Sequence, residues 1–145
     1  GAHGGRQVVR VDDVLDADGD AGKRAGGAVG GGERGDVVEL VDQLPGTVRS
    51  EHGRYVKLSV AGRTFGYVWE PTVTVGLKQT IAEQLALVAM RPDVFEVQFT
   101  AGGFGWVVAH LEHVERDELA ELVFEAWRLT APAALLEQRG EVLPR

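Results

Sequence analysis

The segment RYVKLSVAGRTFGYVWE, residues 54–70, contains two runs of strand-forming residues on either side of a short turn. In the first run Val56, Leu58 and Val60 share one face, and Tyr55 and Lys57 point to the other. Alternation with a period of two is typical of a strand with one buried face, and the sequence AGR is typical of a tight connection. The segment therefore predicts an antiparallel β-hairpin, from which the fold class follows.

Patterns on both sides of the hairpin predict further helices and strands. Before it, DVVELVDQLPG (36–46) starts with an N-capping aspartate and stops at Pro-Gly, which predicts a short helix. After it, a third strand, a helix, two more strands and a long amphipathic helix are expected. Their sequences are TVTVGLK (72–78), QTIAEQLALVAMR (79–91), VFEVQFT (94–100), GWVVAHL (105–111) and ERDELAELVFEAWRLTAP (115–132), and a short helix is expected over 132–138.

The resulting order is α-β-β-β-α-β-β-α. It predicts an α+β fold, with a mainly antiparallel sheet of about five strands and N-terminal, middle and C-terminal helices.

Glycine content separates the N-terminal region from the rest. Residues 1–36 contain 11 of the 20 glycines. Because glycine loses the most conformational entropy on ordering, we expect residues 1–36 to form a flexible arm and residues 37–145 to form the domain. Within the arm, RQVVRVDDVLD (6–16) has strand-like or amphipathic character, and docking on the domain or on a partner is the role we consider for it.

Charge and composition exclude several classes of protein. The chain has no cysteine, so disulfides, thiolate metal sites and a cysteine nucleophile are excluded, and we expect a cytoplasmic location. No apolar run is long enough to span a membrane, and no signal peptide is recognisable. The net charge of −7 argues against a generalised attraction to nucleic acid, so any such binding requires a local basic patch.

His110 and His113 flank Glu112 and resemble part of a metal site. Two histidines bind one metal most readily at i and i+4 on a helix or at i and i+2 on a strand, and a spacing of three meets neither condition. A third ligand would have to be Glu112 itself or one of three other residues, Glu115, His52 or His3. We interpret the segment as the junction between a strand and a helix, and we expect no metal or cofactor.

The long C-terminal helix is acidic on one side. Asp117, Glu121 and Glu125 recur every four residues, which is typical of a solvated helix face, with weak metal binding as the alternative. Ser50 and Ser59 lie in no recognisable nucleophile motif, so we expect no enzymatic activity.

Basic residues cluster in the first three strands and their entry loop. In a β-meander these residues could cover one face or edge of the sheet and contact phosphates. The alternative is an ordinary charged surface on which Glu51 and Glu70 compensate the cations. The five candidates for nucleic-acid binding are Arg49, Arg54, Lys57, Arg63 and Lys78.

The tryptophans predict a core with one exception. Trp106 and Trp127 fall at core positions, whereas Trp69 ends a strand before Glu70 and is expected to be partly exposed. Trp69 and Phe104 are therefore the candidates for binding a small ligand.

Residues 36–138 resemble the MmcQ/YjbR family of small bacterial domains. The likeness rests on LPGTVRSEHGRYVKLSVAGRTFGYV (44–68), in which a helix ends at Leu-Pro-Gly and a Gly-[Arg/Lys]-x-Phe hairpin follows. It continues through VTVGLK, RPDVFE and GWVVAHL to DELAELVFEAWRLTAP. The resemblance implies a frataxin-like α+β arrangement and DNA binding through a double-wing arrangement.

The chain departs from the family pattern in its extra arm, in Gly105 before Trp106, and in its acidity. Residues 37–145 contain 10 Lys and Arg against 15 Asp and Glu, a net charge of −5. The leading hypothesis is a non-enzymatic DNA-binding protein whose five basic residues contact phosphates without reading sequence. The alternative is a non-catalytic protein that binds a small ligand or a protein partner, in specialised metabolism or resistance.

Overall fold

The computed structural model, which describes residues 33–145, is an α+β domain built on one antiparallel sheet of six strands within that range. The strands lie in the spatial order β1-β2-β3-β4-β6-β5. In chain order the elements are α1 (Arg34–Asp42), β1 (Thr47–Glu51), β2 (Tyr55–Val60), β3 (Arg63–Trp69), β4 (Thr74–Thr80), α2 (Ile81–Met90), β5 (Phe95–Ala101), β6 (Phe104–His110), a 3₁₀ turn (Leu111–His113), α3 (Arg116–Arg128) and α4 (Ala133–Arg139). The predicted fold class is confirmed.

The prediction of about five strands missed β1. Its sequence TVRSE has no apolar alternation, and the strand forms because it pairs along its whole length with β2, from Thr47 opposite Val60 to Glu51 opposite Val56. Backbone pairing at a sheet edge requires little of the side chains. For that reason β1 left no periodic signal in the sequence.

The first helix begins three residues earlier than predicted. Glu33 is its N-cap, and Asp36 lies one turn inside, where its carboxylate accepts a hydrogen bond from the Glu33 backbone N–H at 3.0 Å. The Glu33 side chain in turn accepts from the backbone N–H of Asp36, and this reciprocal pair is a capping box. An acidic residue can therefore cap the helix from the third helical position as well as from the N-cap. Residues 34–36 therefore belong to α1, and the part of the predicted arm up to residue 32 lies outside the described residues.

The helices pack on one side of the sheet, which we call the helix face. The core between them contains the inward residues of β2, such as Leu58, together with Leu40 from α1 and Val123 from α3. Gln84 of α2 is buried and donates to the carbonyl oxygens of Phe99 and Trp106 at 3.1 and 2.9 Å. Buried polar groups on this face are thus satisfied by backbone acceptors.

None of the helices in residues 33–145 is long and apolar enough to cross a membrane, since the longest of those helices, α3, has 13 residues.

Candidate functional site: the aromatic face of the sheet

The side of the sheet opposite the helices carries a group of aromatic residues. Directly paired residues of an antiparallel ladder share a face, and Tyr55 pairs with Trp69 while Lys57 pairs with Tyr67. These positions alternate with Val56 and Leu58, whose side chains are in the core. We call the surface formed by Tyr55, Tyr67, Trp69, Phe99 and Trp106 the aromatic face.

The rings of the aromatic face form a continuous series across four strands. The centroids of Tyr55 and Trp69 are 4.7 Å apart, those of Tyr67 and Trp106 are 5.9 Å apart, and those of Trp106 and Phe99 are 5.2 Å apart. At the loop before β2 the imidazole of His52 stacks on Tyr55 at 5.1 Å. Such distances are those at which aromatic pairs attract one another. The series therefore runs from the β1–β2 loop to strand β5.

Burial is uneven along this series. Tyr55 and Tyr67 are half-buried and His52 is exposed, whereas Trp69 is only 2% exposed. The prediction that Trp69 is partly exposed is wrong, because the rings of Tyr55 and Tyr67 pack against its indole. The Trp69 indole Nε1 is buried and has no hydrogen-bond partner among residues 33–145.

Three of the five predicted basic residues adjoin the aromatic face, since Lys78 pairs with Trp106 across the β4–β6 ladder. Lys57 lies directly opposite Tyr67 on the neighbouring strand. Arg54 precedes Tyr55 in the loop, where it is exposed and its backbone carbonyl accepts from the Glu70 N–H at 3.3 Å.

Arg49 lies on the other side of the sheet. It pairs with the core residue Leu58 across the β1–β2 ladder. Its guanidinium makes two hydrogen bonds, of 2.8 and 3.1 Å, to the carboxylate of Asp42 in α1. Arg49 is therefore on the helix face and held by an acidic partner.

Arg63 and Lys78 lie toward the end of the sheet opposite Trp69. Arg63 follows the β2–β3 turn and pairs with Val60, while the Lys78 ammonium donates to Thr130 Oγ1 at 3.3 Å and lies 4.3 Å from the centre of the Phe104 ring. Burial lowers the pKa of Lys78, and the charge of Arg63 lowers it further. The five cations therefore do not all lie on one face, because Arg49 is on the helix face while Lys57 and Lys78 are on the aromatic face.

The acidic residues expected to compensate these cations have another partner. Arg34 of α1 holds Glu51 at 3.0 Å and Glu70 at 2.6 Å. The carboxylate on the aromatic side of β5 is Glu96, whose Oε2 lies 2.5 Å from His110 Nε2. On the two neighbouring strands Lys57 lies opposite Tyr67 and Ser50.

Tyr67 is the titratable group at the centre of the aromatic face. Burial raises the pKa of Tyr67 and the nearby Tyr55 raises it further, while a hydrogen bond with Thr64 acts in the opposite direction. The phenol is therefore protonated at neutral pH and can both donate and accept a hydrogen bond.

The histidine pair at the end of β6 has separate partners. His110 bonds to Glu96, and the backbone carbonyl of His113 accepts from Arg91 at 3.0 Å. Within residues 33–145 no three His, Asp or Glu side chains are grouped as a metal ion requires. His3, the remaining candidate ligand, lies outside the described residues.

Trp69 and Phe104, the candidates for a small-ligand site, are far apart. Trp69 pairs with Thr74 at one end of β4, and Phe104 pairs with Thr80 at the other. At about 3.3 Å per residue the two ends are roughly 20 Å apart. The two residues therefore do not line one pocket.

Sequence reasoning missed Tyr67, Phe99 and Trp106 as members of one surface. The outward positions of Tyr55 and Tyr67 were available from the alternation of the hairpin. The position of Phe99 was not, because an irregularity between Val97 and Phe99 shifts the register of β5 by one residue.

Comparisons with known proteins give a family and a fold. The sequence model of the family described as YjbR matches residues 42–129. The fold is similar to that in the crystal structure of Deinococcus radiodurans protein DR2400, which is described by the family-model domain DUF419. The TM-score is 0.64 with 16% sequence identity, over 78% of this chain and 91% of that chain, so the likeness concerns the fold alone. The comparison with curated proteins found no match.

Proposed function

The chain belongs to the YjbR family, and from that premise we propose that it is a non-catalytic nucleic-acid-binding domain whose aromatic face receives a single strand. The observation that carries this proposal is the position of Lys57, beside the half-buried rings of Tyr55 and Tyr67 on a side of the sheet opposite the described helices. The exposed Arg54 lies at the end of the same surface.

The chemistry of this surface suits an unpaired strand. Bases stack on aromatic side chains, and each stacked base contributes about 1–3 kcal/mol in proteins that bind single strands. The Lys57 ammonium, in register with Tyr67, is placed to bind a phosphate next to a stacked base. Binding of this kind depends little on base identity, because every base has a π-face.

The distribution of charge favours a single strand over a duplex. A duplex is held by several cations on one broad surface, whereas here Arg49 is on the helix face and bound to Asp42. Lys78 pairs with Trp106 and Arg63 follows the β2–β3 turn, so both can contact a strand that continues past Tyr67. We therefore assign the main contacts to Lys57, Arg54 and the two tyrosines.

A fluorescence anisotropy titration with labelled oligo(dT), and with a duplex of the same length, tests the proposal at low salt. We expect Lys57→Gln to weaken binding of the single strand several-fold and to reduce the salt slope by about 0.7, the value for one lost phosphate contact. Tyr67→Ala should weaken binding of the single strand by a similar factor or more, because a stacking ring is lost.

Arg49→Gln is the matched control, because it removes the same charge from the neighbouring strand on the opposite face. Its affinity for oligo(dT) should stay within about twofold of the parent, as for a cation that contacts no phosphate. Absence of binding to any strand at low salt, or an equal loss in the Arg49→Gln variant, overturns the proposal.

A further inference from the structure

Helix α2 is apolar, and the fold leaves most of it exposed. Eight of its ten residues are apolar, yet within this helix only Gln84 is buried. Leu85 is 59% exposed and Met90 is 76% exposed. Because a surface helix normally turns its apolar residues toward the core, the exposed apolar side of α2 indicates an interaction surface.

The exposed apolar row of α2 faces away from α3. Ile81, Leu85 and Ala89 recur every four residues and therefore form one row along the helix. Glu83 and Leu87 line the groove between α2 and α3. At 100° per residue these two lie about 200° around the helix from Ile81 and Leu85. The row thus points to the side of α2 that has no neighbouring helix among residues 33–145.

Strand β5 lies beneath this open side of α2. Gln84 donates to one carbonyl oxygen of β5, that of Phe99, and to one of β6, that of Trp106, so α2 lies over this pair of strands. β5 is last in the sheet order, and its outer edge pairs with no described strand. Val97 of β5 is 44% exposed and pairs with the core residue Val107, which places it on the helix face beside α2.

The helix row and the strand edge form one continuous surface, which we call the α2–β5 surface. Its residues are Ile81, Ala82, Leu85, Ala89 and Val97.

We propose that the α2–β5 surface binds the same surface of a second copy of the chain, in a dimer with twofold symmetry. A twofold axis perpendicular to the sheet makes β5 antiparallel to β5 of the second copy and α2 antiparallel to its α2. Neighbouring strands lie about 4.8 Å apart, and α2 lies about half that distance inside β5. The two α2 axes are then roughly 10 Å apart, and packed helices are separated by about 8–10 Å. One symmetry operation therefore covers the open strand edge and the apolar helix row together.

The row on α2 is complementary to itself. Leu85 lies between Ala82 and Ala89, whose side chains are single methyl groups. In an antiparallel pair centred between residues 85 and 86, Leu85 of one copy packs into the space beside Ala82 and Ala89 of the other. A twofold interface uses the same patch on both copies and requires such self-complementarity.

The distribution of charge favours a second copy at this surface. The chain has a net charge of −7, which opposes self-association, but the α2–β5 surface has no charged residue. Glu83 is on the α3 side of the helix, and Glu96 of β5 bonds to His110 on the aromatic side. The other edge strand, β1, contains Arg49 and Glu51, and charges on an edge strand oppose pairing. A charged partner would find no counter-charge on the α2–β5 surface.

The dimer leaves the aromatic face open, because α2 packs on the opposite side of the sheet. It therefore does not rest on the proposed function.

Sedimentation velocity of the full chain over a range of concentrations tests the dimer. The parent should show a monomer–dimer equilibrium with a Kd in the micromolar range, as expected for a small apolar interface. Leu85→Glu and Val97→Glu should each weaken dimerisation by about tenfold or more, because two identical charges are brought together at the axis.

Val48→Glu is the matched control. Val48 is a 55% exposed valine on the other edge strand, β1, and the same charge is introduced there. Its Kd for dimerisation should stay within about twofold of the parent, as for a surface change away from the interface. A parent that is monomeric at every concentration, or an equal loss in Val48→Glu, overturns the proposal.

A mixture of two variants separates loss of the interface from misfolding. Leu85→Glu and Leu85→Lys should each be monomeric alone and should associate when mixed, since residue 85 of one copy lies beside residue 85 of the other. Failure of the mixture to associate overturns the proposed axis.

NMR spectra of the ¹⁵N-labelled parent at low and high concentration locate the contact. The amide signals of α2 and β5 should shift with concentration, while those of Val48 and Tyr67 should not. Shifts confined to β1 or to the aromatic face would mean that the copies associate elsewhere, and would overturn the proposal.

Discussion

Each side of the sheet buries a tryptophan, and the two tryptophans differ in whether the indole N–H is hydrogen-bonded. On the helix face Trp127 is fully buried and its Nε1 donates to the carbonyl oxygen of Pro45 at 3.1 Å. On the aromatic face Trp69 is almost as buried, and its Nε1 has no acceptor in residues 33–145. Both indoles are shielded from water, but only the Trp127 N–H finds an acceptor within residues 33–145.

The difference separates a core from a binding surface. Gln79 is buried against α3, and Gln84 is buried against the β5–β6 pair. Both side chains donate to backbone carbonyls, as Trp127 does. A core completed in this way needs nothing further for stability. The aromatic face has the half-buried rings of Tyr55 and Tyr67 beside Lys57, which is the chemistry that the proposed function uses.

The largest effect should come from changing the two tryptophans in the same way. Trp127→Phe removes buried volume and leaves the Pro45 carbonyl without its donor, so we expect a loss of about 2–3 kcal/mol in the free energy of unfolding. Trp69→Phe removes a similar buried volume but a donor that the described domain does not satisfy, so it should cost less, about 1–2 kcal/mol. Urea denaturation measures both, and equal losses would contradict the distinction between the two sides.

A pair of glycines gives a second, somewhat smaller contrast. A Cβ on Gly105 would lie 2.7 Å from the Cβ of Gln84, an atom that cannot rotate away, so Gly105→Ala should destabilise by about 1–3 kcal/mol. A Cβ on Gly76 would lie 2.2 Å from Oε1 of Gln98, the end of a side chain that can move.

Gly76→Ala should therefore cost less, about 1 kcal/mol. Thermal unfolding of both variants measures the difference, with Gly35→Ala as the control because no atom lies within 4 Å of its added Cβ. A larger loss for Gly76→Ala than for Gly105→Ala would mean that the aromatic side is the more rigid one.

The smallest expected effect concerns the ionisation of Tyr67. Because burial raises the pKa of Tyr67 above its usual 10.0, the folded protein keeps this proton at a pH where the unfolded chain loses it. Stability contributed by the neutral phenol is thus complete below pH 10 and decreases as the pH rises through the folded pKa. Alkaline absorbance titration of the parent and of Tyr67→Phe should show the phenol of position 67 titrating above 10, and ordinary titration would contradict its burial.

Much of the fold could be predicted from the sequence, because it depends on periodicity. Alternation in residues 54–60 gave β2 with the correct inward residues, and helical spacing gave α3. Strand β1 could not be predicted in this way, since its polar sequence is set by pairing with β2.

The candidate site was harder to predict than the fold. Lys57 and Tyr55 were placed outward by alternation, as the structure has them. Whether the five cations share one face could not be predicted, because the ladder register that places Arg49 opposite Leu58 is a tertiary property. The ring series through Trp106 and Phe99 depends on the pairing of distant strands and on an irregularity in β5, neither of which has a local signature.

The most direct test of the central claim is an NMR titration of the full chain with oligo(dT) at low salt. The account predicts that the amide signals of Tyr55, Lys57 and Tyr67 and the indole signal of Trp69 shift together, while the indole of Trp127 does not move. Shifts confined to the helix face, or no shifts at saturating strand concentration, would contradict the assignment of the aromatic face as the binding site.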